Sequence, residues 1–181
     1  MAKPGPLQVE GFADSDWGGE VQTRRSTSGG AISLWGCALH TWSRTQACVA
    51  LSSAEAEYYS IALAVVEGRR LQQLVEESCR AVEGDPLPLI VHSDSRAARE
   101  SCWKVGASRM KHIEIKMLFV KELVQQGAVV LQAVASADNP ADALTKLVPQ
   151  ATLFRLARGD RAWQMNLATD VDARHEDARV A

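Results

Sequence analysis

Residues 52–79 make the clearest helix in this 181-residue chain, and one long helix set between strand-like segments leaves few folds open. Ser52 or Ser53 can cap it. Glu55 and Glu57 place negative charge in its first turns, where the helix dipole favours it. Ile61, Leu63, Val65, Leu71, Leu74 and Val75 then supply apolar faces down to about Cys79. Gly84, Asp85 and Pro86 break the chain. Residues 87–92 follow as a short, continuously apolar strand, the pattern expected in the middle of a sheet.

Ahead of the helix, residues 7–13 read as a strand ending at Asp14, and residues 17–28 are polar and turn-rich. Residues 30–35 and 38–43 read as two more strands, with Gly36-Cys37 as their hairpin turn. After Asp94, residues 95–102 suit a short helix, and Gly106 and Ser108 mark a loop. Residues 112–126 carry Ile113, Met117, Val120 and Val124 on one helical face before Gly127 stops them. Residues 129–134 form a last strand and residues 140–147 a last helix. The order is β-β-β-α-β-α-α-β-α, an α/β chain with antiparallel strands first and a helix-covered sheet afterwards.

A balance of 46% hydrophobic and 23% charged residues is that of an ordinary globular domain. The length suits one domain of about 140 to 150 residues with a tail. The expected division is a lead over residues 1–8, a domain over 9–150 and an extension over 151–181. That extension holds five basic and five acidic residues; residues 153–163 are expected to add a helix and residues 168–181 to be disordered. No run of 18 apolar residues occurs, so no membrane-spanning helix is expected. The opening MAKPGPLQVEGF lacks the apolar stretch of a secretion signal, which points to an intracellular setting. Cys37, Cys48, Cys79 and Cys102 lie far apart without a CxxC pair, which favours reduced thiols over a zinc site.

The net charge of −2 argues against a strongly basic nucleic-acid binder. Residues 96–121 depart from that average. They carry Arg96, Arg99, Lys104, Arg109, Lys111, Lys116 and Lys121 against Glu100 and Glu114, which makes either a solvated helix face or a phosphate-facing patch.

Four acids fall where strands and helices meet. Asp14 and Asp94 each follow a strand, Glu57 lies early in the long helix, and Asp142 sits in the opening turn of the last helix. Crowded carboxylates stay ionised only if cations neutralise them. Hard oxygen ligands suit magnesium or manganese, and two such ions about 4 Å apart can serve both oxygens of an in-line phosphodiester cleavage. Each acid also has an ordinary reading: Asp14 as a turn former, Glu57 as a complement to the helix dipole, Asp94 and Asp142 as caps.

The words around these acids are more specific. In order, GFADSDWGG at 11–19, RRSTSGG at 24–30, LSSAEAEYYSIALAVVEGRRLQQLVEE at 51–77, VHSDSRAARE at 91–100, RMKHIEIKMLFVKELVQQG at 109–127 and NPADALTK at 139–146 resemble the ribonuclease H domain of copia-type retrotransposon Pol polyproteins. The resemblance implies a ribonuclease H-like α/β fold, a five-stranded mixed sheet flanked by helices. It also implies endonucleolytic cleavage of the RNA strand of RNA·DNA hybrids, leaving 5′-phosphate and 3′-hydroxyl ends. Asp14, Glu57, Asp94 and Asp142 match the catalytic carboxylates that hold two Mg2+ ions, with Mn2+ as the alternative. Glu55 competes for the helix position. Glu57 has Ser60 three residues on and Ala64 seven on, as the wider family does, whereas Glu55 would place Tyr58 at the small position. Residues two apart on a helix point about 200° away from each other, so only one of the two glutamates can face the ions.

Cellular ribonucleases H usually have a His in the loop before the last aspartate; here that loop reads ASADNPAD. His112 lies earlier and is read as buried or capping. Hybrid duplexes are recognised by shape and by 2′-hydroxyls, for which Arg24, Arg25, Ser26, Thr27, Lys111 and Lys116 are the expected contacts. Trp17 is read as core packing. The implied partners are an RNA·DNA hybrid and the reverse transcriptase and integrase domains of the same polyprotein, in a cytoplasmic particle or the nucleus. The alternative function is a catalytically silent remnant that binds nucleic acid or a protein.

Overall fold

Three antiparallel strands open the computed structural model, which describes residues 7–78, 87–103 and 114–149: β1 (Val9–Asp16), β2 (Thr27–Leu34) and β3 (Cys37–Thr45). Helix α1 (Ser53–Ser78) then carries the chain to β4 (Leu89–Ser93), which pairs parallel to β1. Helices α2 (Arg96–Trp103) and α3 (Glu114–Gln125) precede β5 (Val130–Ala133), which pairs parallel to β4. The mixed five-stranded sheet has the order β3-β2-β1-β4-β5.

The apolar face of α1 meets this sheet. Tyr58, Ile61, Ala64 and Val65 share one buried cluster with Val9, Ala13, Ile32 and Val91, and each large side chain so buried contributes about 1.5–3 kcal/mol. The helix comes close to β4 at Gly68, where a Cβ would stand 2.6 Å from Leu89 Cδ1. Val120 and Val124 of α3 join the cluster. Gly127 closes that helix with φ +71, its N–H donating to Val124 O while Ala128 N–H reaches Leu123 O. This is the glycine stop expected from the sequence.

Several boundaries differ from the sequence-based expectation, among them the start of β2, at Thr27 rather than residue 30. β1 runs on past Asp14 to Asp16, whose carboxylate accepts the Thr27 N–H and so brings the start of β2 alongside. The hairpin turn is Trp35-Gly36, not Gly36-Cys37. Leu34 pairs with Cys37, and both turn residues have positive φ, 54° and 73°, as a two-residue turn matched to strand twist requires. The helix expected over 140–147 is a five-residue 3-10 segment (Pro140–Leu144), preceded by a second over Ser136–Asp138. Its backbone bonds include Asp142 N–H to Asn139 O and Thr145 N–H to Asp142 O, three residues apart, which tightens the turn.

A compact unit spans Met1–Leu147. The second, Val148–Ala181, lies outside the described residues except for Val148 and Pro149, as do the expected helix at 153–163 and the tail. Among the described residues no helix is long and apolar enough to cross a membrane.

Candidate metal centre

Parallel pairing of β1 with β4 puts their carboxyl ends at one edge of the sheet, the place where open α/β sheets collect ligands. The register Phe12↔His92, continued two residues, brings Asp14 level with Asp94. Asp94 is the first residue beyond β4, and Ser95 next to it starts α2 by accepting the Ala98 N–H at 3.3 Å. Glu57 arrives from the second turn of α1, where its Oε1 accepts the Ser15 N–H at 3.3 Å. One carboxylate oxygen from each of Asp14, Glu57 and Asp94 lies within 4.8 Å of the other two.

Three acids this close strain their own ionisation. Burial, and then the charges of Asp14 and Asp94, push the Glu57 carboxyl up to about 8 against the pull of Ser15. Burial also raises Asp14; the Thr145 hydroxyl and Lys146 ammonium pull it back, while Asp142 and Asp94 push with burial. Glu57 Oε2 is buried with no hydrogen-bond partner. A hard, all-oxygen donor set with excess negative charge and an orphaned buried oxygen fits a divalent cation of the magnesium or manganese type.

Glu55 does a different job. Ser52 Oγ accepts the Glu55 N–H at 3.2 Å, and Glu55 Oε2 accepts the Leu51 N–H at 2.9 Å. The carboxylate therefore closes a reciprocal cap on the start of α1, facing back along the chain while Glu57 faces Ser15.

Asp142 reaches this edge by another route. Asn139 anchors the 3-10 segment, donating from Nδ2 to Ala13 O at 3.0 Å and accepting the Ala141 N–H at 3.2 Å. Gly29, the Cα partner of Asp14, lets the segment lie against β2. A Cβ there would stand 2.6 Å from Thr145 Cγ2 and 2.8 Å from Ala141 O. Thr145 Oγ1 then donates to Asp14 Oδ2. Lys146 pairs with the Asp142 carboxylate and lies 3.7 Å from Asp14 Oδ2. Asp142 is outside the close trio and is linked to Asp14 through this lysine. Asn139, Thr145 and Lys146 were not singled out from sequence, although all three stand in NPADALTK and Lys146 is four residues past Asp142.

The expected substrate contacts divide. Arg24 and Arg25 are exposed in the loop between β1 and β2, with Arg24 at φ 57. Ser26 is fully buried and its hydroxyl accepts the Gly18 N–H at 3.0 Å, so it holds the loop. The N–H of Thr27 is taken up by Asp16. Lys111 and His112 lie outside the described residues, and Lys116 falls within α3. Trp17, expected in the core, is instead 59% exposed, its ring N–H donating to Ala50 O at 3.1 Å. The turn of chain after β1 carries it outward beside Asp16.

A mixed sheet in this strand order, with α1 against it and acids at the shared edge of β1 and β4, is the ribonuclease H-like fold. LC11-RNase H1, isolated from compost, superposes with a TM-score of 0.55 at 16% identity, over 76% of this chain and 91% of that one. The same nuclease in complex with an RNA/DNA hybrid gives 0.54 at 15% identity, over 81% and 99%. The chain is homologous to one stretch of copia-type retrotransposon Pol polyproteins. It is 30% identical over 143 residues to the retrovirus-related Pol polyprotein from transposon TNT 1-94 of Nicotiana tabacum, and 33% identical over 147 residues to that from transposon RE1 of Arabidopsis thaliana. These alignments cover 78% and 81% of this chain but only 10% of each relative. No protein-family profile matches the chain.

Proposed function

We propose that this chain is a metal-dependent endonuclease that cuts the RNA strand of RNA·DNA hybrids, acting as one segment of a Pol polyprotein. The observation that carries the reading is the trio Asp14, Glu57 and Asp94, within 4.8 Å of one another, with the buried Glu57 Oε2 left unpartnered. Asp14, Glu57, Asp94 and Asp142 would hold two divalent ions, which would supply Lewis-acid activation of the attacking water and of the leaving oxygen. The protein's own residues set the geometry. Ser15 orients Glu57, Thr145 fixes one oxygen of Asp14, and Asn139 pins the Asp142 segment to β1. The exposed Arg24 and Arg25 suit phosphates of the DNA strand. A net charge of −2 supports only weak binding alone, so a tethered reverse transcriptase would keep the substrate close.

The reading is tested by offering the full chain, with Mg2+ or Mn2+, labelled RNA·DNA hybrid, single-stranded RNA and duplex DNA. Cleavage confined to the RNA of the hybrid, with 5′-phosphate and 3′-hydroxyl ends, is expected. Hybrid binding without cleavage under either metal would overturn the enzyme reading and favour a silent nucleic-acid-binding remnant.

A further inference from the structure

We infer that Lys146 is a built-in competitor for one of the two divalent ions, so that the site fills in two unequal steps. The inference rests on the metal-centre reading above and adds an order of filling to it.

The two halves of the acid cluster are provisioned differently. On one side, Asp14, Glu57 and Asp94 converge within 4.8 Å, and Glu57 Oε2 is buried without a partner. Among the described residues no cation is paired with Glu57 or Asp94, so an ion entering there meets the Lys146 charge mainly through Asp14. On the other side, the Lys146 ammonium already pairs with Asp142 and stands 3.7 Å from Asp14 Oδ2, the oxygen that also accepts from Thr145. An ion placed between Asp14 and Asp142 must push that ammonium away or bind beside a like charge. Lys146 can move. Its side chain is 50% exposed while Asp14 is 2% exposed, so the head group can turn to solvent without unpacking the edge. The charge is also correctly tethered: Lys146 lies four residues from Asp142, and its backbone N–H donates to Asp142 O at 3.2 Å.

Lys146 therefore neutralises the Asp14–Asp142 side whenever the second ion is absent and weakens that ion's binding when it arrives. Removing a half-exposed like charge at about 4 Å should tighten the second ion by about tenfold.

The test is Mn2+ binding to the full chain without nucleic acid, followed by electron paramagnetic resonance and calorimetry, on wild type, Lys146→Gln, Lys146→Arg and Asp94→Asn. Wild type is expected to bind one Mn2+ tightly and a second more weakly. Lys146→Gln should tighten the second about tenfold and the first clearly less, and Lys146→Arg should behave as wild type; equal tightening of both ions would overturn the unequal filling. An unchanged or weakened second ion in Lys146→Gln, with the first intact, overturns this inference and leaves the metal centre standing. If wild type binds no Mn2+, or Asp94→Asn binds it equally well, the metal-centre reading fails and takes the inference with it.

Discussion

The Ser15 N–H donates to Glu57 Oε1 at 3.3 Å, joining β1 to a helix 42 residues further along the chain. That bond holds one glutamate oxygen and leaves the other buried without a partner, on the side chain that converges with Asp14 and Asp94. Replacing Glu57 by Gln is expected to lower hybrid cleavage by about a hundredfold or more, with the fold kept. Glu55→Ala should instead cost about 1 kcal/mol of stability through the lost cap and leave cleavage nearly unchanged. Paired melting and cleavage assays separate the two; activity that survives Glu57→Gln and vanishes in Glu55→Ala would reverse the assignment.

The raised carboxyls give the metal-free protein a signed pH dependence. Glu57 in the folded chain titrates at about 8, above its ordinary value of 4.5, and Asp14 is shifted in the same direction. The folded state therefore holds protons that the unfolded chain has released. The favourable contribution is complete below about pH 4.5 and is lost as pH rises towards about 8. Thermal melts in chelator should show stability falling across that window, and Glu57→Gln should flatten the fall. Magnesium should restore stability at the alkaline end, by binding only the folded state. A flat wild-type profile in chelator would contradict the burial argument.

Thr145 acts on Asp14 through its hydroxyl. Thr145→Val keeps the shape and removes the donor, so metal affinity or cleavage should drop about 10- to 100-fold, while Thr145→Ser should retain most of both. Equal losses in Val and Ser variants would point to packing instead.

Gly29→Ala probes the close pass of the 3-10 segment over β2. The added Cβ would meet Thr145 Cγ2 at 2.6 Å and Ala141 O at 2.8 Å, and the second contact is with backbone. Chemical denaturation should show a loss of about 1–3 kcal/mol, with cleavage reduced beyond what the unfolded fraction explains, because Thr145 and Lys146 move with the segment.

Exposed Arg24 and Arg25 should contribute affinity rather than chemistry. In hybrid-binding titrations, each Arg→Gln change should weaken binding and reduce the slope of log K against log salt by roughly 1. No change in slope would remove these residues from the interface.

The helices and the central strands were legible because apolar periods, a serine cap and a glycine stop all act within a few residues. The placement of Asp14 and Asp94 at or near strand ends was legible for the same reason, but only the motifs around them, not that placement, singled them out as expected ligands. Helix rotation excluded only that Glu55 and Glu57 both face the ions; the choice of Glu57 came from the family pattern, with Ser60 and Ala64 at the matching positions. Other features depend on contacts that no local pattern carries. Trp35 takes positive φ because the Leu34↔Cys37 register leaves two residues for the turn. The last segment tightens into a 3-10 turn anchored by Asn139 on Ala13 O, far away in sequence. Thr145 and Lys146 meet Asp14 only because Gly29 admits them, and the outward turn of Trp17 is likewise invisible in composition.

Asp94 and its neighbours are proposed to form a metal-dependent hybrid nuclease. The most direct measurement is the initial rate of cleavage of end-labelled RNA in an RNA·DNA hybrid as Mg2+ is titrated, for wild type beside Asp94→Asn. The rate should rise from zero with Mg2+ in wild type and fall by about a hundredfold or more in the variant, with hybrid binding retained. Equal rates in the two proteins, or cleavage that persists in chelator, would contradict the proposal.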